Sequence, residues 1–541
     1  MAAPPFSILS ADGELGAGEL HRQRWTLVLV CATTFMLLLD VTVVTVALPS
    51  MQRSLSASLS DLQWVLNAYT LPLAALLLSA ASLGDRLGRR RLFLGGVLLF
   101  TAGSLACALA PNPAVLNASR ALQGTGGAAL FAVGLPLIRQ EFSEKALAAA
   151  VGAFGATIGL ATAVGPLIGG ALTDAFGWRS IFLVNLPVGV VALAAAAVHL
   201  PESRAADRRP IDIPGTALLT AGLILLILGL IRGNPDGWSS STVVALLGAG
   251  TLTFVAFVAV EAAVAAPMVD LRLFRLRSFA VAGLGAFVVN AALVGVMGYL
   301  ALYVQNTLGY GPFDSGLRFL PLSLTAFAVG AAAGGRLGRL PMRTQISGSL
   351  LAVAAGTGLL TRLTPGSTWV DLVPGLTVAG LGLGLSATAL SRAALAAVEP
   401  NRAGMASGVV NALRQIGSAA GVAALGAVFQ STARTHTLGA LAGTAVDRAG
   451  RAGDVAAAVA SGGGATVTRA APAPARDLIA EAARQGTVAG LDRATAVAAL
   501  AALLVALIAG ACYPGPKSRA PGTAPDALEP TTANGWAGEV G

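Results

Sequence analysis

Fourteen times along its 541 residues the chain runs apolar for about the width of a bilayer. A helix needs about 20 mostly apolar residues to cross the hydrocarbon core, where backbone polar groups must be satisfied without water. On that rule spans are expected near 26–48, 63–83, 92–111, 118–138, 147–171, 180–199, 214–231, 241–262, 279–305, 315–335, 346–362, 372–393, 404–429 and 489–512. Charged residues make up 11% of the chain, against about 25% in a soluble domain. The class is therefore an all-α polytopic membrane protein.

The net charge is +9, yet the basic residues sit in short loops and form no continuous face, so nucleic acid is excluded as a partner. Arg86, Arg89, Arg90 and Arg91, then Arg139 and Lys145, then Arg204, Arg208 and Arg209 fall on one side of the membrane. The short loops of the other side hold only Arg53, Arg179, Arg232 and Arg362. The positive-inside rule places the basic side and both termini in the cytoplasm. Cys31, Cys107 and Cys512 lie within apolar runs and His21, His199 and His436 are scattered, so neither disulfide nor metal site is expected.

A short motif occurs twice. Residues 84–89 read Gly-Asp-Arg-Leu-Gly-Arg and residues 334–339 read Gly-Gly-Arg-Leu-Gly-Arg. A basic turn repeated between spanning helices implies two related halves, which in membrane carriers meet at a central cavity. The copies are separated by more than six helices, and the spans at 214–231 and 241–262 fill the difference, giving a 6+2+6 arrangement. The expected divisions are a cytoplasmic segment 1–25, a six-helix bundle 26–199, two linker helices within 200–278, a second bundle 279–512, and a disordered cytoplasmic tail 513–541. Residues 430–488, rich in Ala, Gly and Thr, read as a flexible external loop with a short helix near 453–460.

Four groups of residues carry chemistry. Asp40 stands in the middle of the first apolar run, where a carboxylate costs about 2.5–3.5 kcal/mol and must face protein or water. Such a group is suited to bind and release a proton. The structural alternative is a carboxylate bonded to a neighbour such as Thr42. Arg120 opens the run Arg120–Ala129, whose Gly124, Gly126 and Gly127 admit a close neighbour. An arginine beside a carboxylate couples proton affinity to conformation; the alternative is an arginine snorkelling to the interface. Gly165, Pro166, Gly169 and Gly170 combine a lost backbone hydrogen bond with tight packing. In the first basic turn Gly88 permits the reversal, Arg86 and Arg89 supply charge, and Asp85 is suited to a helix N-terminus.

Together these residues resemble the major facilitator superfamily, and within it the fourteen-helix drug:proton antiporters. The resemblance covers most of residues 25–430 and the last helix, and includes Trp64 to Tyr69, Gly177-Trp178-Arg179, Asp212 to Gly215 and Gly404 to Gly421. Ala81, Ala161 and Thr45 depart from the family pattern, which has Gly, Gly and Asn there. The resemblance implies two pseudo-symmetric six-helix bundles around a cavity, working as a monomer by alternating access. It implies export of bulky hydrophobic drugs or antibiotics driven by proton entry, with Asp40 and Arg120 in proton coupling. Asp85, Arg86, Gly88 and Arg89 form a conformational latch whose partner is the helix N-terminus near Ala403 and Gly404. Gly165, Pro166, Gly169 and Gly170 form the antiporter kink. Asn67, Tyr69, Gln123, Asn290 and Gln305 are the polar groups expected in an otherwise apolar cavity wall. Arg318 and Arg414 in the second half would repel cationic substrates.

No cofactor is expected. Lys145 follows Glu144 and Lys517 follows Pro516, so there is no phosphate-binding loop and no basis for ATP use or enzymatic activity. The alternatives are an uptake permease for a small metabolite and a non-transporting membrane sensor or scaffold. The glycine–proline motif argues against the first. The cost of an unused intramembrane Asp40 argues against the second.

Overall fold

The computed structural model describes residues 17–203, 212–264, 267–333, 340–398 and 403–513. The second basic turn at 334–339, most of the N-terminal segment and the tail from 514 lie outside the described residues.

The first half is built from α1 (Ala17–Leu55), α2 (Leu59–Leu87), α3 (Arg89–Ala108), α4 (Pro113–Glu141), α5 (Glu144–Phe176), α6 (Ser180–Leu183) and α7 (Asn185–His199). A hairpin follows, α8 (Ile213–Asp236) and α9 (Ser241–Ala263). The second half holds α10 (Arg277–Leu302), α11 (Pro312–Arg318), α12 (Leu320–Ala333), α13 (Met342–Leu359), α14 (Val373–Ala396) and α15 (Ala403–Leu441). The chain then forms α16 (Ala445–Arg448), α17 (Ala452–Ala460) and α18 (Gly464–Ala470) before the closing α19 (Ala473–Cys512).

Local chemistry sets the boundaries. Ser58 and Asp61 form a reciprocal capping box that starts α2. Asn112 caps α4 with Pro113 in its first turn, and Asp212 caps α8 in the same way with Pro214. Gly88 ends α2 at φ 113°, a conformation costly for any side chain, and a Cβ there would overlap Glu202.

The two halves repeat one packing scheme. In the first, α1 packs on α5 while α2 and α3 both pack on α4. In the second, α10 packs on α15 while α12 and α13 both pack on α14. The α8–α9 hairpin leans on α2 from one half and α15 from the other. Asn234 of α8 donates to Ala427 O at 2.6 Å, and Ser79 and Thr216 share a hydrogen bond.

Among the described residues, 12 helices are long and apolar enough to span a membrane, or 13 if α11 and α12, bent by 42°, count as one. A helix stands at each of the fourteen expected places, but α13, the third helix of the second half, falls outside that set. Its early residues, Arg343, Thr344, Gln345 and Ser347, dilute its apolar character.

The flexible loop expected over 430–488 is not what forms. Helix α15 runs on to Leu441 and α19 begins at Ala473, so both spans project past the bundle. The three short helices between them close over a small core of Leu441, Val446, Val455, Val459 and Ile479. The helix expected near 453–460 is present as α17. The segment is a helical cap, and the molecule has a capped face and, opposite it, a basic face bearing the Gly88 turn.

Candidate functional site: a buried carboxylate–guanidinium centre

Asp40 on α1 is 2% exposed and Arg120 on α4 is 1% exposed. The two form an ion pair through Arg120 Nη1 and Asp40 Oδ2. Gln123, one turn after Arg120, serves both partners. Its Oε1 accepts from Arg120 Nη1 at 2.7 Å and its Nε2 donates to Asp40 Oδ1 at 2.8 Å. The same Nε2 lies 2.8 Å from Ser104 Oγ on α3. Asn185, at the start of α7, places Nδ2 3.3 Å from both Asp40 Oδ1 and Ser104 Oγ. Arg120 Nε donates to Val65 O of α2 at 3.0 Å, and the guanidinium lies 4.3 Å from the centre of the Tyr69 ring.

Five helices thus converge on one charge pair. Gly124 allows this, since a Cβ there would overlap Tyr69 O, and α4 could not approach α2. A charge pair this deep is weak evidence for stability, because desolvation offsets much of its attraction. Removing one member, however, strands a buried charge at about 3–5 kcal/mol. The pair therefore ties α1 to α4 through a single buried charge contact.

The structural alternative, a bond from Thr42 to Asp40, does not form. Thr42 Oγ1 donates instead to Leu39 O at 3.0 Å and Leu38 O at 3.2 Å. Arg120, likewise, does not snorkel. Ser104 and Asn185 were not singled out from sequence; a lone serine or asparagine in an apolar run carries little signal until its neighbours are known.

The glycine–proline group lies in a continuous α5 and has two faces. Gly165 and Gly169 press on Thr42 and Val43 of α1. Gly170 meets Pro312 O of the other half, where a Cβ would stand 2.5 Å away, and Gly316 abuts Pro166 O. The motif therefore touches the charge-bearing helix on one side and the opposite half on the other.

In the basic turn Asp85 Oδ1 pairs with Arg89 Nη2 at 2.8 Å. Arg89 N donates to Ser203 O at 2.8 Å, and Arg86 is exposed. The expected partner of Asp85 was the start of α15; the side chains of Ala403 and Gly404 lie outside the described residues, and in this conformation Arg89 holds Asp85.

The five expected wall residues separate. Tyr69 and Gln123 belong to the charge centre rather than to a cavity wall. Asn290 donates to Ala286 O in its own helix at 2.9 Å. Gln305 sits in a π-helical turn after α10 and donates to Val46 O of α1 at 2.8 Å, across the two halves. Asn67 is fully buried, and neither its Nδ2 nor its Oδ1 has a partner among the described residues. Gln63, one turn earlier on α2, also crosses the halves, donating to Tyr299 Oη at 2.9 Å and Val422 O at 3.2 Å.

The sequence pattern of the Major Facilitator Superfamily matches residues 30–422. A probable actinorhodin transporter of Streptomyces coelicolor is 41% identical over 452 residues, spanning 79% of this chain and 77% of that protein. Multidrug resistance protein Stp of Mycobacterium tuberculosis is 39% identical, over 75% of this chain and 76% of that protein. Among solved structures, a bacterial homologue of the human lysosomal transporter Spinster, inward-facing and occupied, superposes with a TM-score of 0.60. It covers 91% of this chain and 97% of that one at 16% identity, which is a likeness of fold. With two halves of one packing scheme, a charge pair at the centre of the first and relatives that export or resist drugs, the chain belongs to the Major Facilitator Superfamily of multi-pass membrane transporters.

Proposed function

We propose that the protein is a proton-coupled antiporter that exports bulky, hydrophobic, drug-like compounds from the cytoplasm across the cell membrane by alternating access. The Asp40–Arg120 pair carries this reading. It is a titratable carboxylate, wholly enclosed, whose partners come from α4 and α7. The names of the relatives support a drug-like substrate.

In this mechanism a proton reaching Asp40 cancels its charge and frees Arg120, which keeps Gln123 Oε1, Val65 O and the Tyr69 ring. The freed helices re-pack through the α1–α5 contact at Gly165 and Gly169, and α5 passes the change to α11 through Gly170. Substrate and proton then occupy opposite conformations, which is the requirement for exchange. The basic face is cytoplasmic, both termini lie inside, and the capped face is external. The chain spans the membrane fourteen times as 6+2+6, with α13 counted as a span because it fills the third place of the second half, and it works as a monomer. The proton gradient is the energy source and no cofactor is used.

The test is flux in proteoliposomes holding the purified chain. An imposed pH gradient should drive a lipophilic aromatic drug against its concentration gradient, with proton movement in the opposite direction. Downhill drug flux indifferent to the pH gradient would refute proton coupling, and absence of flux would refute export.

A further inference from the structure

The second half holds two arginines, and the fold separates them. Arg318 is neutralised where it stands: Nη1 meets Asp314 Oδ1 at 3.2 Å, and the guanidinium lies 3.5 Å from the centre of the Tyr310 ring. Arg414 on α15 has only neutral acceptors. Nη1 donates to Asn411 Oδ1 at 3.2 Å, and Nη2 donates to Ser391 Oγ at 2.9 Å and Ala387 O at 3.1 Å on α14. No carboxylate pairs with it among the described residues.

The direction Arg414 faces follows from its helix. Gly417 and Gly421 press on Phe287 and Ala291, which fixes the side of α15 that packs on α10. Gly408 meets Leu78, and Val422 O accepts from Gln63, which fixes the side facing α2 of the other half. At about 100° per residue these two directions stand about 140° apart, and Ser407, Asn411, Arg414 and Ser418 fall in an arc of about 60° between them. This polar stripe of α15 is therefore turned to the seam between the halves.

Helices α2 and α15 run antiparallel along that seam. Gln63 lies opposite Val422 and Leu78 lies opposite Gly408, so the contacts advance together toward the basic face. Asn67, four residues on from Gln63, falls level with Ser418, one turn from Arg414. Asn67 is the fully buried amide whose two polar atoms are unpartnered. The seam thus offers an uncompensated cation and, about one turn away, a free donor and acceptor. Opposite it, Asp40 and Arg120 cancel each other and add no net charge.

We infer that Arg414 recognises an acidic group on the exported compound, with Asn67 bonding its neighbouring polar atoms, so that the substrate class is a lipophilic organic anion. A guanidinium in low dielectric is stabilised most by a bidentate carboxylate, which its planar fork matches. The same group repels a cation and gains little from a neutral compound. This deepens the export reading and rests on it for the direction of movement.

Binding to the purified full chain in nanodiscs tests the assignment, with three probes on one apolar frame: anthraquinone-2-carboxylate, its methyl ester, and the 2-aminomethyl cation. The wild type should bind the carboxylate at least about tenfold more tightly than the ester, a factor of ten being about 1.4 kcal/mol. Arg414→Gln should bring that ratio within about twofold of one. Ser391→Asp gives the same result by another route, since a carboxylate in place of the Ser391 hydroxyl pairs with Arg414 and cancels its charge without removing the arginine. A wild type that prefers the ester or the cation, or does not bind the carboxylate, overturns the inference. So does a tenfold preference that survives in either variant. Correct binding ratios without gradient-driven flux of the carboxylate would refute export while leaving the recognition role intact.

Discussion

Gly165 of α5 lies against Thr42 of α1 with no room for a side chain: a Cβ on the glycine would overlap the threonine Oγ1 and stand 2.6 Å from its Cβ. Thr42 is two residues from Asp40, so this close α1–α5 contact lies within one helical turn of the carboxylate, on another face of α1. The contact gives the proline-containing motif of α5 a physical route to α1, and it yields a directional test. Gly165→Ala should lower the melting temperature in detergent by the equivalent of about 1–3 kcal/mol, the usual cost of overpacking, and should impair transport. Thr42→Gly removes the opposing atoms and should restore both in the double variant. Failure of the rescue would mean that the glycine acts through backbone freedom rather than through this contact.

Asp40→Asn should abolish pH-driven flux while the protein still inserts. It should also destabilise the chain by about 3–5 kcal/mol, because Arg120 keeps its charge and loses its partner. Adding Arg120→Gln removes the stranded charge, so thermal stability should recover in part while proton coupling stays lost. Measuring both properties separates the roles. A double variant that regains gradient-driven flux would show that the pair is structural only.

Part of this site was legible before the fold was known. Asp40 and Arg120 stand out because a charge in an apolar run is expensive, and expense implies a partner. Gln123 was legible as polar but was given to the cavity wall. Its spacing of three from Arg120 puts both on one helix face, and that face turned out to look at Asp40. Ser104 and Asn185 become meaningful only once α3 and α7 are brought to the same point, which no local pattern encodes. The cap shows a different failure. Its Ala- and Gly-rich composition reads as loose chain, but Val455, Val459 and Ile479 are enough to close a small core when two over-long helices hold its ends. Arg318 and Arg414 differ already in sequence by one acidic residue, Asp314, four positions before the first, and the fold turns that spacing into an ion pair.

Asp85 makes a solvent-accessible pair with Arg89, and pairs at that helix spacing contribute only about 0.3–0.5 kcal/mol. Asp85→Asn should therefore leave thermal stability nearly unchanged. If Asp85 exchanges Arg89 for the start of α15 when the cytoplasmic side closes, the variant should favour the inward-open state. The measurement is the labelling rate of single cysteines placed along the inner half of α5, which should rise. Unchanged labelling would remove Asp85 from the conformational cycle.

The cap supplies the last test. Gln52 at the end of α1 donates to Ser461 O at 2.6 Å, and Asn306 after α10 donates to the next carbonyl, Gly462 O, at 3.1 Å. Arg53 Nη1 meets Asn306 Oδ1 at 3.1 Å, so one turn of the cap ties together the outer ends of both halves. Alternating access requires those ends to part. In a background without native cysteines, Gln52→Cys and Ser461→Cys joined by a short thiol cross-linker should stop transport, and reduction of a cleavable linker should restore it. Without the linker the two cysteines should weaken the closed outer side, seen as increased labelling of outer-seam cysteines near Gln63, because the hydrogen bond from Gln52 to Ser461 O has been lost. Full transport with the linker in place would mean that the cap rides with α1 and that the halves separate elsewhere, with Asn306 releasing Gly462 at each cycle.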